Sequence, residues 1–272
     1  ECNKKDWFVR ITVFTSNQPR HISLIKHLAS ISDEVFAVQE CNTIFPGQVE
    51  DFFKRSSVMQ DYFSNVMNAE KMVFGLPCFL PSNVKSLSLK SGDLNKVDMG
   101  ILKPSLQSDY YVVFGSSFIK GDLINFLVAN RAINIHMGLS PYYRGSSCNF
   151  WALYDKRPDY VGSTIHLLSR GLDSGPILFH ALPKAEEIEP FLLGMYAVKS
   201  AHSGLVSAIE TGAILKMDPE DQNKSLEIRY TRNKDFTDEV ASKYLENPPT
   251  SQEVFQSLKN RDLSHLLKPY IT

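Results

Sequence analysis

NIHMGLSPYYRG, residues 134–145, ends an apolar run with a polar pair and follows it with a rigid, aromatic, basic loop. Residues 132–136 read as a buried strand. Residues i and i+2 of a strand point to one face, so Asn134 and His136 stand side by side. In an open α/β sheet, ligands bind outside the C-terminal ends of the strands. An Asn amide can donate to a developing oxyanion, and a His can move a proton or, when charged, stabilise the same oxygen. Such a pair needs a third group to orient the imidazole. Asp173 in SRGLDSGPI (169–177) supplies a carboxylate at the end of another expected strand, bracketed by Gly171 and Gly175. No Ser or Cys stands in a nucleophile motif. Cys148, the one rival, falls inside an expected helix (146–155). Asn, His and Asp without a nucleophile suggest direct transfer between two bound substrates.

The flanking chain supports an α/β fold. VRITVFT (9–15) alternates and is β-branched, so it reads as a strand. SNQPRH follows, with Asn17 as a cap and Pro19 in the first turn of a helix that carries Ile22, Ile25, Leu28 and Ala29. EVFAVQE (34–40) is a second strand, and this βαβ opening favours a parallel sheet. Residues 42–83 read as a helical insertion between strands. DYYVVFGSSFI (109–119) is a buried strand running into Gly-Ser-Ser, and KGDLINFLVAN (120–130) is a helix. VGSTIHLLS (161–169) is a strand, and residues 190–212 form a long amphipathic helix ending at Gly212. Residues 213–272 are polar and read as a C-terminal appendage on a main domain of residues 1–212. The expected class is a Rossmann-like, open, mostly parallel sheet flanked by helices.

With 43% hydrophobic and 22% charged residues, the composition is that of an ordinary globular protein. A formal net charge of −1 gives no global pull toward nucleic acid or an anionic membrane. No apolar run reaches the roughly 20 residues of a membrane span, and ECNKKDWFVR (1–10) lacks the apolar core of a signal peptide. Cys2, Cys41, Cys78 and Cys148 are scattered without metal-ligand spacing. The expectation is a cytoplasmic protein with reduced thiols and no metal; a homodimer is compatible with the sequence.

NIHMGLSPYYRG followed by VGSTIHLLSRGLDSGPIL, with 37 positions from His136 to Asp173, resembles the catalytic domain of the folate-dependent formyltransferases. That family includes the methionyl-tRNA, glycinamide ribonucleotide and sugar N-formyltransferases. The resemblance covers about residues 8–212. It implies that an amine attacks the formyl group of 10-formyltetrahydrofolate. Asn134 and His136 would hold the intermediate's oxygen, His136 would manage the amine proton, and Asp173 would orient His136 or a water. It also implies a donor site built from Gly115, Ser116, Ser117, Phe118 and Ile119 on one side and Arg170, Gly171 and Leu172 on the other.

Departures from the better-known branches bear on the acceptor. TSNQPRH (15–21) is not the Gly-Asn-Gly-Ser-Asn type of phosphate loop of the glycinamide ribonucleotide enzymes. The Pro- and Arg-rich loop and long C-terminal barrel of the methionyl-tRNA enzymes have no counterpart here. A nucleotide-linked amino sugar is the expected acceptor, met by Asn17, Arg20 and His21 at a helix start, with Arg144 on its phosphates or in a structural pair. Tyr142 and Tyr143 are read either as packing residues or as stacking on a substrate ring. His166 is read as a core or supporting residue. A methionyl-tRNA enzyme and a non-catalytic folate- or nucleotide-binding relative are the alternatives.

Overall fold

The structure is a computed structural model that describes residues 8–44, 48–49 and 52–272. Cys2, and residues 45–47 and 50–51 of the expected insertion, lie outside the described residues.

The chain opens with strand β1 (Arg10–Ser16), helix α1 (Pro19–Ser30) and β2 (Glu34–Cys41). A short hairpin follows, β3 (Thr43–Ile44) and β4 (Gln48–Val49), then helix α2 (Ser57–Phe74) and β5 (Val84–Lys90). A single turn α3 (Met99–Leu102) leads to β6 (Tyr110–Val113), α4 (Gly121–Ala129) and β7 (Ile133–His136). After these come β8 (Tyr143–Gly145), α5 (Cys148–Tyr154), β9 (Ser163–Leu167), β10 (Ile177–Leu182) and the long α6 (Pro190–Glu210). The last stretch holds β11 (Arg229–Thr231), α7 (Asp238–Glu246), α8 (Ser251–Lys259) and β12 (Tyr270–Ile271).

Eight strands form one sheet in the order β12-β10-β9-β7-β6-β1-β2-β5. The run β5-β2-β1-β6-β7 is parallel throughout. β9 is antiparallel to both β7 and β10, and β12 returns parallel to β10. Strand order reverses between β1 and β6, the crevice where an open parallel sheet binds its ligands. The expected class therefore holds: an α/β fold with a mostly parallel sheet.

Local chemistry sets the elements. Pro19 starts α1 where a missing N–H costs nothing, and Leu24, Ile25 and Leu28 turn inward. The Ser56 side chain accepts from Met59 N to open α2, and Gly75, at φ +78, ends it. α1 and α6 cover one face of the sheet, with Leu24, Leu28, Val198 and Leu205 in a single core. Leu123, Ile124 and Leu127 of α4 cover the other face. The expected insertion is α2. It packs beside α6 and α7 through Tyr62, whose ring meets Phe150, Phe191, Phe236 and Tyr244. No helix among the described residues is long and apolar enough to cross a membrane.

Residues 213–272 are woven in more deeply than an appendage would be. β11 pairs with β8, inside the motif loop, and β12 forms the edge of the main sheet. Polar composition masked this, because backbone pairing does not depend on apolar side chains.

Candidate active site

Asn134 and His136 sit at the end of β7, as expected, both almost fully buried. Asp173 comes from the β9–β10 loop. His136 Nδ1 and Asp173 Oδ2 are 3.2 Å apart. The loop reaches this position by two devices. Asp173 itself takes the left-handed conformation, φ +44, which Asp tolerates better than most residues. Gly175 supplies space, since a Cβ there would lie 1.7 Å from Leu167 O. Gln222 then ties the loop down, its Nε2 donating to Asp173 O and Gly175 O at 2.9 Å each. The sequence suggested that the glycines carry the unusual backbone; the structure gives that part to the catalytic candidate.

Burial alone would drive a proton off His136, but Asp173 and the thiol of Cys148 override it and raise its pKa well above the usual imidazole value. Burial likewise pushes the Asp173 carboxyl up, and the positive His136 ring overrides that, holding it well below the usual carboxylate range. The pair is therefore an imidazolium–carboxylate ion pair at neutral pH.

Asn134 is placed differently from the simplest expectation. The antiparallel register sets Asn134 opposite His166. Its Nδ2 donates to His166 Nε2 at 2.9 Å and to Asp173 Oδ1 at 3.1 Å. His166 Nδ1 in turn donates to Leu167 O at 2.8 Å, which leaves Nε2 as the acceptor. In the resting site, Asn134 thus holds Asp173, and a developing oxyanion must compete for its N–H groups.

A cavity of about 260 Å³ opens on these three residues. Gly115–Ile119 form one wall, and Gly171 and Leu172 belong to the other. Arg170 is exposed and is not part of the lining. Sequence reasoning missed the residue that shapes the first wall. Glu40, buried at the end of β2, accepts from Gly92 N, Leu94 N and both the N–H and hydroxyl of Ser117 at 2.6–3.1 Å. An acidic residue ending an apolar strand was the available signal.

A second groove of about 300 Å³ lies beyond Met137, which lines both spaces. Its walls include the aromatic cluster of Tyr62, Phe150, Phe191 and Tyr244, and Arg20 is its cation. Arg20 pairs with buried Glu70 at 2.8 Å. The other expected acceptor contacts fall elsewhere. His21 is buried under Gly115, and Asn17 Oδ1 accepts from Asn42 N. Tyr142 and Tyr143 are buried and line neither of these two spaces. Their hydroxyls donate to His265 O and Asp155 Oδ2. Arg144 is committed to Glu227 at 2.7 Å. The side chains of Tyr142 and Arg144 are held by residues of 213–272, which docks on this loop.

A family model described as formyl transferase matches residues 2–189. The chain belongs to the formyl transferase family. Within that family, it is 30% identical to a methionyl-tRNA formyltransferase of Fervidobacterium nodosum over 118 residues, 43% of this chain and 34% of that protein. It is 39% identical to the methionyl-tRNA formyltransferase of Thermosynechococcus vestitus over 74 residues, 27% of this chain and 22% of that protein. The matches thus span about a third or less of these curated relatives. In three dimensions it resembles a 4-N formyltransferase from Francisella tularensis, with TM-score 0.50 and 19% identity, covering 84% of this chain and 78% of that one. It also resembles an N-formyltransferase from Helicobacter canadensis in complex with folinic acid and dTDP-3-aminofucose. There the TM-score is 0.50 and identity 12%, covering 91% and 81%. At these identities the likeness is one of fold.

Proposed function

We propose that this formyl transferase moves a formyl group from 10-formyltetrahydrofolate to the primary amine of a small acceptor. The observation that carries this reading is the buried His136–Asp173 ion pair, with Asn134, facing a cavity walled by Gly115–Ile119. The donor's flat ring system suits that cavity. Ile119, Ile124 and Leu168 offer apolar walls, and loop backbone outside regular elements offers donors and acceptors. Gly171 and Leu172 face it from the other side.

The amine attacks the formyl carbon, and the C=O electrons move onto oxygen. His136 stabilises that oxyanion, joined by an N–H of Asn134 released from its resting partners. As the carbon–N10 bond breaks, a proton from His136 goes to N10. The ammonium proton passes to Asp173, directly or through one water, and from there through water to the vacated Nε2 of His136. The products are a formamide and tetrahydrofolate, with no net proton change in the protein.

The groove beyond Met137 is the acceptor side, and a nucleotide-linked amino sugar is the acceptor it suits. Aromatic rings can face a base, and Arg20, at the start of α1, can meet a diphosphate. The Helicobacter canadensis relative, which holds folinic acid and dTDP-3-aminofucose, supports this choice. The matches to methionyl-tRNA formyltransferases favour Met-tRNA as the second reading.

The test is tetrahydrofolate release on mixing the protein and 10-formyltetrahydrofolate with UDP-, GDP- and dTDP-amino sugars, glycinamide ribonucleotide and Met-tRNA. Turnover with an amino sugar is expected. Turnover with Met-tRNA alone transfers the assignment to the second reading, and turnover with none overturns both. Replacing Arg20 with Ala, with Glu70→Gln to avoid a stranded charge, should raise acceptor KM about tenfold and leave donor KM unchanged. An unchanged acceptor KM would remove Arg20 from the acceptor side.

A further inference from the structure

Asp173 occupies only one nitrogen of His136. The other, Nε2, lies 3.5 Å from Cys148 Sγ. The thiol is fully buried at the start of α5, and Sγ is also 3.4 Å from Gly145 O. The carbonyl can only accept, so the S–H points to Gly145 and the sulfur lone pairs face the imidazole. Space has been made for this contact. A Cβ on Gly138 would lie 2.4 Å from Cys148 Cβ and 3.0 Å from His136 Nε2. Any larger residue at 138 would wedge ring and thiol apart.

We infer that Cys148 is a positioning residue for the transfer, its sulfur accepting the His136 Nε2–H while Asp173 takes Nδ1–H, so that the imidazolium is pinned at both nitrogens. This rests on the formyl-transfer reading for its catalytic meaning, but the contact itself does not. Sulfur is a weak acceptor. It holds the proton in line in the resting site and competes poorly once the formyl oxygen becomes an oxyanion. A buried S–H turned to a carbonyl is badly placed for attack, so the Cys-His-Asp arrangement is a holder and not a nucleophilic triad.

Among the described residues, the titratable groups facing His136 are few. Asp173 comes from the β9–β10 loop and Cys148 from α5. His166 of β9 is linked to this pair through Asn134, whose Nδ2 meets both His166 Nε2 and Asp173 Oδ1. Loss of the sulfur removes one of two supports of the charged ring, so the imidazolium should deprotonate at lower pH.

The experiment is a titration of the His136 ring by nitrogen-15 NMR in the wild-type, Cys148→Ala and Cys148→Ser proteins without substrate, alongside the pH profile of kcat/KM. Cys148→Ala should move the His136 titration and the alkaline limb of the profile down by about one pH unit. Cys148→Ser, whose hydroxyl accepts the same N–H, should move both back toward wild type. An unmoved His136 titration in folded Cys148→Ala overturns the inference. The NMR arm reads the contact even if no acceptor turns over, so failure of the formyl-transfer reading is seen separately. Ring titration shifted with an unchanged kcat/KM limb would overturn the catalytic part alone.

Discussion

Asp173→Asn should lower kcat for formyl transfer by about a thousandfold while the protein stays folded and still binds folate. The substitution keeps the shape of the side chain but removes the charge that makes His136 an imidazolium, 3.2 Å away. Three losses then coincide: the charged ring facing the oxyanion, the acid that protonates N10, and the carboxylate route for the ammonium proton. Single losses of this kind are typically worth about 10²–10³ each and act as a unit, so they do not multiply. His136→Ala should fall to the same floor, and the double variant should be no worse than either single one. Single-turnover kinetics with 10-formyltetrahydrofolate measure this directly. A loss under tenfold for Asp173→Asn would mean that the ion pair is structural.

The second large effect is on stability. His21, His180 and His202 are buried and held neutral. Burial, with help from neighbouring cations, keeps His21 well below its ordinary value and pushes His202 down to about 3. Burial pushes His180 down to about 4. Among the described residues, neither ring nitrogen of His202 has a hydrogen-bond partner. His180 donates from Nε2 to Ser140 O, and its Nδ1 accepts from Leu267 N, a pattern only the neutral ring can make.

For each of these groups the unfolded chain binds the proton more readily. Stability therefore rises with pH below 6.5 and is lost as pH falls, by about 1.4 kcal/mol per unit per group. Three groups together lose about 4 kcal/mol per unit against a total of about 5–15, so a protein near the lower end of that range should begin to unfold near pH 5. His136 has the opposite sign, its raised pKa contributing stability that is fully present below 6.5 and lost as pH rises through its folded value. It does not deepen the acid loss. The depressed Asp173 carboxyl adds to that loss only as pH falls below its unfolded value, near 4. Urea midpoints across pH 5–8 should show the slope, and His202→Leu should recover about 2 kcal/mol at pH 5. An equal slope in wild type and variant would sink this account.

What could be read from the sequence was local, and what could not was long-range. The strand ends carrying Asn134, His136 and Asp173 were legible because period-2 alternation and loop glycines are written in neighbouring residues. The Gly115–Ile119 wall was legible as a strand running into Gly-Ser-Ser. Glu40 was not, since its partner Ser117 is 77 positions away. The swing of Asn134 toward His166 depends on antiparallel register, which no spacing within β7 reveals. Whether Tyr142, Tyr143 and Arg144 pack or face a substrate could not be read until the strand that pairs with theirs was in place.

That covering has a consequence for how the protein is made. The Tyr142 hydroxyl waits for His265, 123 positions later, and His180 waits for Leu267, 87 positions later. A chain leaving the ribosome at about 5–20 residues per second carries its complete Asn-His-Asp set for several seconds before the loop that covers Tyr142 and the strand that pairs with β10 emerge. Until then, the aromatic residues of the motif loop are exposed on a half-built sheet whose edge has no partner. Nascent-chain stalling at successive lengths should therefore show chaperone dependence that persists well past residue 212 and ends once residues 265–271 have left the ribosome.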